Sequence, residues 1–166
     1  MQRRWVHALV GAVVLSAIFG GSASAGKLSA RDGEAEISLD QAGAMSCHDF
    51  DYPVLRCFAS PQALDRDVAQ RVEANAVPAA VAATGYVTFW EHAGYAGSQM
   101  TLSADQPWLG NIGWNDRISS FKSFGASGRF LENSPGSGFI YYYSPGVQVS
   151  YLSNTYNDKF SAFDIN

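Results

Sequence analysis

The sequence predicts that the C-terminal half of the chain is all-β, built from two repeated units, and that a small disulfide-closed segment with one short helix precedes it. Three observations predict this. Residues 26–84 contain three aromatic residues, whereas residues 85–166 contain 17. Turn signals (Gly, Asn-Asp, Pro-Gly) recur about every ten residues after Gly85, as in antiparallel sandwiches and barrels. Two sequence blocks then recur in the same order at almost one period.

The first 25 residues have the pattern of a signal peptide. Arg3 and Arg4 form a basic head, an apolar run follows from Ala8 to Phe19, and Ala23-Ser24-Ala25 supplies the small residues of a cleavage site. A membrane anchor is the alternative, but the apolar run from Ala8 to Phe19 has about twelve residues, whereas a membrane span needs roughly twenty. We therefore expect a secreted, extracellular protein that starts near Gly26, with no membrane association after signal cleavage.

Composition limits the classes of partner. The full chain has a net charge of −4, and removing Arg3 and Arg4 leaves nine basic against fifteen acidic residues, a net of −6. No basic excess exists to displace counterions from phosphates, so nucleic acid is not an expected partner. Charged residues make up only 16% of the chain and aromatic residues 13%, which excludes disorder as its main state.

The only two cysteines, Cys47 and Cys57, are ten residues apart. In an oxidising compartment such an isolated pair most often forms a disulfide. The alternative is a metal site of Cys47, His48 and Cys57, but this segment lacks the C-x-x-C pair that zinc sites favour. We expect the disulfide.

The rest of the N-terminal segment, residues 26–84, contains one predicted helix. Residues 26–46 show little periodicity and are interpreted as a flexible lead. Ser60-Pro61 has the pattern of an N-cap followed by proline in the first turn, and the apolar residues Leu64, Val68 and Val72 then recur at helical spacing. This predicts a helix of about three turns that ends at Val77-Pro78. Ala79–Thr84 is interpreted as a linker.

From Gly85 onward the pattern changes to short strands rich in aromatic and β-branched residues. The predicted strands are Tyr86–Trp90, Gln99–Leu102, Ser119–Phe124, Phe139–Tyr143 and Val147–Tyr151.

These strands belong to an internal repeat. The segment Phe89–Gly97 aligns with Phe130–Gly138 at an offset of 41, and Trp114–Phe121 aligns with Tyr156–Phe163 at an offset of 42. One unit of about forty residues could not bury its own apolar face, but two units facing each other could. We place motif one at residues 85–125 and motif two at residues 126–166.

These motifs resemble those of the βγ-crystallins. Trp90, followed by Tyr95-Ala96-Gly97 and later by the hexamer Asn115–Ser120, is similar to the aromatic hairpin and Asn-Asp-x-x-Ser-Ser loop of that family. The second hexamer, Asn157–Ala162, matches except at its last residue. The resemblance covers residues 85–166 and implies two Greek-key motifs packed as a βγ-crystallin sandwich.

The resemblance also implies bound Ca²⁺. The hexamers supply amide, carboxylate and hydroxyl oxygens, which are the ligands that Ca²⁺ prefers, and no nitrogen or sulfur donor. In the family, each site takes a backbone carbonyl from the hairpin and one from the third hexamer position, the hydroxyl of the fifth position, and the second-position carboxylate of the other motif. The metal residues implied are Glu91, Asn115, Asp116, Arg117, Ser119, Glu132, Asn157, Asp158, Lys159 and Ser161.

The second site departs from the family pattern. Ala162 replaces a supporting hydroxyl, and Leu131 and Gly136 stand where hairpin aromatics are usual. We therefore expect a distorted second hairpin, with the Glu132 carbonyl less well placed. Without the duplication, either hexamer is better interpreted as an Asn-Asp turn with a serine cap. The duplication favours a metal site at the first hexamer and leaves both interpretations open for the second.

No enzyme is expected from this sequence. It has no G-x-S-x-G, no H-E-x-x-H and no phosphate-binding glycine loop. Neither His48 nor His92 lies near a nucleophile motif. The expected function is that of a secreted calcium-binding βγ-crystallin domain stabilised by its metal. The alternative is a secreted protease inhibitor, in particular of metalloproteases, because small exported bacterial proteins with this fold include such inhibitors; a surface or carbohydrate adhesion module is a third possibility.

Overall fold

The computed structural model describes residues 27–134 and 137–166. The predicted signal peptide lies outside the described residues. The N-terminal segment contains β1 (Ser29–Asp32), β2 (Ala35–Ile37), α1 (Leu39–Gly43), β3 (Ser46–Asp51), β4 (Val54–Phe58), α2 (Pro61–Glu73) and α3 (Ala79–Thr84). Motif one contains β5 (Tyr86–His92), β6 (Ala96–Leu102), a 3-10 turn (Leu109–Ile112) and β7 (Ser120–Phe124). Motif two contains β8 (Gly128–Asn133), β9 (Ser137–Tyr143), β10 (Gln148–Val149), α4 (Ser153–Tyr156) and β11 (Ala162–Ile165).

The strands form two sheets, and the motifs exchange strands between them. The larger sheet has the order β10-β7-β5-β6-β3-β4-β1-β2, so β10 of motif two joins the sheet of motif one. The smaller sheet has the order β11-β8-β9. Gln106 of motif one joins it beside β11, through backbone hydrogen bonds of 2.8 and 3.0 Å with Phe163. The predicted sandwich of two Greek-key motifs is confirmed.

The core lies between the two sheets and is largely aromatic. Phe130 of motif two is fully buried at its centre. Five other rings lie around Phe130 at centroid distances of 5.1–6.1 Å: Phe89, Phe121, Tyr143, Phe160 and Phe163. Phe89 occupies the equivalent position of motif one and contacts Trp114, Phe130 and Phe163. The repeat therefore places equivalent residues face to face, so each motif buries the apolar face of the other.

The N-terminal segment is part of the larger sheet. Strand β3 pairs in parallel with β6, with Cys47 opposite Met100. Cys47 and Cys57 lie opposite each other on β3 and β4 and form the predicted disulfide, so their sulfurs are not available to a metal. Beyond β4, β1 and β2 complete the sheet.

The prediction of a flexible lead at residues 26–46 was wrong, because this stretch contains β1, β2 and α1. Ala30 in β1 is fully buried, yet its strand neighbours are exposed or half-buried, so the alternation that marks a strand is weak. Helix α1 begins with a capping box between Ser38 and Gln41. Strands and helices this short carry too few residues for a periodic pattern.

Helix α2 begins as predicted but ends at Glu73, before the predicted end at Val77-Pro78. The Ser60 hydroxyl accepts a hydrogen bond from the N–H of Ala63 at 3.3 Å, and Pro61 is in the first turn. Leu64 is its buried residue. The predicted linker Ala79–Thr84 is instead helix α3, which buries Val81 against the rest of the protein. None of the helices in the described ranges combines the length and apolar character needed to cross a bilayer.

A buried carboxyl group attaches β3 to the loop after β6. Asp49 accepts hydrogen bonds from the N–H and hydroxyl of Ser103, both at 2.7 Å, and from the N–H of Ala104 at 3.1 Å. Burial raises the pKa of Asp49 to about 6, against the effect of these donors. The N-terminal segment therefore contacts motif one through specific polar bonds as well as through strand pairing.

Candidate metal centre

The two hexamers have the same backbone shape. Asp116 and Asp158, the second residues, both have a φ of 54°, in the left-handed region that Asp tolerates better than most side chains. In each hexamer the side-chain N–H of the preceding residue, Asn115 or Asn157, donates to the aspartate Oδ2 at 2.6 Å. The repeat seen in the sequence is therefore also a repeat of local structure.

The two hexamers also cross over each other. The N–H of Asp116 donates to the carbonyl of Phe160 at 3.0 Å, and the N–H of Asp158 donates to the carbonyl of Ile118 at 3.1 Å. These acceptors are the fourth residues of the opposite hexamers. Asp158 consequently lies beside Ser119, while Asp116 bonds the residue that precedes Ser161.

Each of these serines is attached to a hairpin strand of its own motif. The N–H of Ser119 donates to the carbonyl of Trp90 at 3.0 Å, and the N–H of Ser161 donates to the carbonyl of Leu131 at 2.9 Å. Because Trp90 and Leu131 precede Glu91 and Glu132, both hairpins present the expected glutamate next to the serine.

Around Ser119 three oxygens converge. The Ser119 hydroxyl lies 2.7 Å from the carbonyl oxygen of Glu91 and 3.2 Å from Oδ1 of Asp158. The residue is 5% exposed. A hydroxyl has one proton to donate, so two acceptors compete for it. A hydroxyl, a carbonyl and a carboxylate drawn from both motifs are suitable ligands for a hard cation.

The side chain of Arg117 braces this first site. Its Nη2 lies 3.0 Å from Oε1 of Glu91, while its Nη1 donates to the carbonyls of Gly113 and, at 2.8 Å, of Gly43 in α1. Burial alone would raise the pKa of Glu91, but the hydrogen bond and charge of Arg117 lower it. This role was not predicted, because Gly43 is distant in the sequence.

The second site is built less completely. Ser161 is buried, at 6% exposed, but its hydroxyl makes no hydrogen bond among the described residues. The carboxylate of Glu132 accepts from the N–H of Phe139 at 2.9 Å. The Lys159 side chain lies over the Phe139 ring, with its Nζ 6.0 Å from the centroid. Gly136 lies outside the described residues.

The hydroxyl of Ser120 marks a further difference between the motifs. It donates to the carbonyl of His92 at 2.7 Å and accepts from the N–H of Tyr95 at 3.2 Å, so it holds the tip of the first hairpin. Ala162, its equivalent in the second hexamer, cannot make these bonds. The sequence identified Ala162 as the loss of a supporting hydroxyl, and the contacts of Ser120 show what a hydroxyl at this position holds.

Polar atoms in both hexamers fit a cation. The side-chain Oδ1 atoms of Asn115 and Asn157 are buried and have no hydrogen-bond partner. Burial raises the pKa of Asp116, and the nearby charges of Asp158 and Glu132 raise it further. Within residues 27–134 and 137–166, no three His, Cys, Asp or Glu side chains converge on one point. The available donors are therefore mixed backbone, amide, hydroxyl and carboxylate oxygens, which suit Ca²⁺ better than a softer metal.

The histidines lie elsewhere. His48 is fully buried; its Nε2 lies 2.9 Å from Asp67 of α2, and its Nδ1 accepts from the N–H of Phe50. Burial lowers the pKa of His48. Its contacts join β3 to α2, so its role in the structure is packing. His92 lies at the end of β5, exposed.

Residues 85–166 have the fold of a βγ-crystallin domain, in which two Greek-key motifs exchange strands and cross their Asn-Asp-x-x-Ser loops. Solved βγ-crystallin structures are similar to this chain. An archaeal βγ-crystallin is 28% identical, with 49% of this chain and 96% of that chain covered and a TM-score of 0.44. A domain from Clostridium beijerinckii is 26% identical (48% and 95% covered, TM-score 0.43), and a βγ-crystallin from Ciona intestinalis is 21% identical (49% and 100% covered, TM-score 0.45).

A family model described as peptidase inhibitor family I36 matches residues 75–128, from the end of α2 to the start of β8. No curated protein matches the chain.

Proposed function

We propose that this protein is a secreted calcium-binding βγ-crystallin domain protein whose metal stabilises the fold. The observation that carries the proposal is the convergence of the Ser119 hydroxyl, the Glu91 carbonyl and the Asp158 carboxylate. Oxygen atoms from both motifs meet there, so a bound cation would hold the two motifs together. Secretion is supported by the signal-peptide pattern and by the disulfide.

Different residues of the chain would supply the ligands at each of the two sites. At the first site the ligands would be the carbonyls of Glu91 and Arg117, the Ser119 hydroxyl and the Asp158 carboxylate. At the second site they would be the equivalent atoms of Glu132, Lys159, Ser161 and Asp116. Asn115 and Asn157 orient the aspartates. Bound Ca²⁺ would supply positive charge between oxygens that otherwise crowd one another.

The affinity follows from the ligand charge. Each site has one carboxylate side chain, so a dissociation constant on the order of 10⁻⁵ to 10⁻³ M is expected, as in extracellular calcium modules. Binding to the native state alone adds about 2.7 kcal/mol to the free energy of unfolding when calcium exceeds the dissociation constant a hundredfold. For a domain of this size, the melting temperature rises by about ten degrees.

Thermal melts in EGTA and in millimolar calcium test the proposal, with Ser119→Ala and Ser161→Ala as a matched pair. Ser119→Ala should remove most of the calcium-induced rise, because it deletes the hydroxyl at the centre of the first site. Ser161→Ala should remove less, since the second site is less completely built. A rise of no more than a degree or two in the wild type would show that the hexamers are only turns.

A second candidate function is inhibition of a secreted peptidase, which the match of residues 75–128 to an inhibitor family favours. The matched residues include hairpin one and the first hexamer, so the two functions would share a region. Against this, inhibitors of this fold usually carry cysteines in the β domain, and residues 85–166 have none.

A panel of secreted metalloproteases and serine proteases, assayed with excess protein, tests the second candidate. Saturable inhibition of one enzyme class would support it, and full activity of every enzyme would count against it. Ser119→Ala should leave any inhibition in EGTA unchanged, so the inhibitor assay and the calcium melts can fail independently.

A further inference from the structure

The second strands of the two hairpins lie in different surroundings. Strands β6 and β9 are equivalent in the repeat, and Gly97 and Gly138, near their starts, have φ values of 83° and 82°. The outer edge of β6 is covered by β3 of the N-terminal segment. Strand β9 ends the smaller sheet, and no strand in the described ranges pairs with its outer edge. A further strand can therefore pair with the second hairpin strand of this fold. In the described residues β6 of motif one has such a partner, whereas β9 of motif two does not.

The direction of the free backbone groups follows from the backbone pairing on the other side of β8. Phe163 of β11 exchanges two backbone hydrogen bonds with Gln106, so it directs its N–H and C=O away from β8. Its partner Phe130 therefore directs its own groups toward β9, where it pairs with Tyr141, so Tyr141 faces β8. Alternate residues of a strand direct their N–H and C=O groups to opposite sides, so Ile140 and Tyr142 direct theirs away from the sheet.

The sequence of β9 does nothing to protect this edge. Its seven residues, Ser-Gly-Phe-Ile-Tyr-Tyr-Tyr, include no charge and no proline. Natural edge strands usually carry such residues, because an uncharged edge pairs readily with another chain. Tyr142 is 70% exposed, Phe139 50% and Ile140 36%. An edge with unpaired backbone groups and exposed apolar side chains is suited to an extended strand of similar chemistry.

We propose that a second copy of this chain pairs with β9, antiparallel, about a twofold axis at Tyr141. In this register Ile140 lies opposite the partner's Tyr142, and Tyr142 lies opposite the partner's Ile140. Each of these two pairs exchanges two backbone hydrogen bonds, so all four outward N–H and C=O pairs of the dimer are satisfied.

The side chains of this strand favour its own copy as the occupant. Aromatic residues opposite β-branched residues are favourable cross-strand neighbours, and the register makes that pairing twice. No charge lies on either strand to repel the other. The contact is isologous, so it closes as a dimer with a six-stranded sheet and does not propagate into a fibre. The pairing involves one short strand per copy, which is less than a standard stable interface buries, so we expect a weak dimer.

Sedimentation equilibrium of residues 26–166, from about 10 µM to 1 mM, tests the proposal. Tyr142→Lys places two charges at the interface, and Ile140→Pro removes an outward N–H without removing a bond to β8. Tyr151→Lys is the matched control, because Tyr151 is also exposed but lies outside β9. The wild type and Tyr151→Lys should show a monomer–dimer equilibrium, and Tyr142→Lys should weaken it at least tenfold.

Far-UV circular dichroism checks that each variant is folded, and Tyr142→Lys keeps the test valid if Ile140→Pro does not fold. The register is tested by oxidising cysteine variants. An equimolar mixture of Ile140→Cys and Tyr142→Cys should form crosslinked dimers of the two variants, faster than either variant forms dimers with itself.

Four results would overturn the proposal. The first is a wild type that stays monomeric at 1 mM, and the second is a dimer unaffected by Tyr142→Lys. The third is a series of ever larger species, and the fourth is crosslinking of Ile140→Cys only with itself. A wild type that is monomeric but captures an extended segment of another protein through β9 would assign the edge to that partner and overturn the assignment to a second copy.

Discussion

Motif one and motif two contain the same structural features but differ at two places. Both have a hairpin that ends near a left-handed glycine, and both have a hexamer with its aspartate at a φ of 54°. In motif one, β3 covers the hairpin edge and Ser120 holds the hairpin tip. In motif two the edge is uncovered and Ala162 replaces the serine.

This difference separates the features that both motifs share from those that the N-terminal segment adds to motif one. The inter-sheet core and the crossed hexamers are built from residues of both motifs, so they are common to the two. The N-terminal segment pairs with and hydrogen-bonds to motif one, through β6, Ser103 and Arg117. We expect the first candidate site to be the more rigid of the two because it receives this extra support.

The largest expected effect concerns the shared core. Phe130→Ala should lower the free energy of unfolding by about 3–5 kcal/mol, because it removes a fully buried ring from the centre of the core. Phe89→Ala, at the equivalent position, should cost less, since Phe89 contacts three rings and Phe130 contacts five. Urea denaturation in EGTA measures both. Equal losses would show that the two motifs share the core evenly.

The second effect concerns the added segment. Replacing Cys47 and Cys57 together by Ala should lower the free energy of unfolding by about 3 kcal/mol, the chain-entropy estimate for a loop of this length. Mass spectrometry of the unreduced wild type should first show it two hydrogens lighter than the reduced form. Two free thiols in secreted protein would contradict the disulfide. A variant as stable as the wild type would show that strand pairing alone fixes the added segment.

The smallest effect concerns the hairpin tip. Ser120→Ala makes motif one resemble motif two and should cost about 1 kcal/mol, because it deletes the hydroxyl between His92 and Tyr95. The control is Ser150→Ala, since the Ser150 side chain is exposed. Urea denaturation compares the two variants. If both lose the same stability, Ser120 does not distinguish the motifs.

Much of the fold could be predicted because the sequence patterns that define it occur in both motifs. The aromatic hairpins and the Asn-Asp hexamers are local patterns, and two copies at one period made them specific. The N-terminal strands could not be predicted, because β1 and β2 are only four and three residues long. Strand β1 depends on pairing with β4, and β2 depends on pairing with β1. Ala79–Thr84 has no polar residue before its last position, and its helix depends on the burial of Val81.

The residue types of the candidate site could be predicted from the sequence, but the side-chain contacts that support the site could not. The hexamer pattern places Asp158 beside Ser119, and the structure brings these two side chains within 3.2 Å. The contacts of the Arg117 side chain with Gly43 and Glu91 join distant parts of the sequence, so no local pattern could indicate them. For the same reason, the sequence could not show that β3 covers one hairpin edge and leaves the other free.

Calorimetric titration of residues 26–166 with calcium measures binding to the two hexamers directly, with Ser119→Ala as the comparison and magnesium as the control ion. We expect saturable heat with a dissociation constant on the order of 10⁻⁵ to 10⁻³ M, weaker binding of magnesium, and loss of the tightest step in Ser119→Ala. No saturable heat at millimolar calcium, or identical isotherms for the wild type and Ser119→Ala, would contradict this expectation.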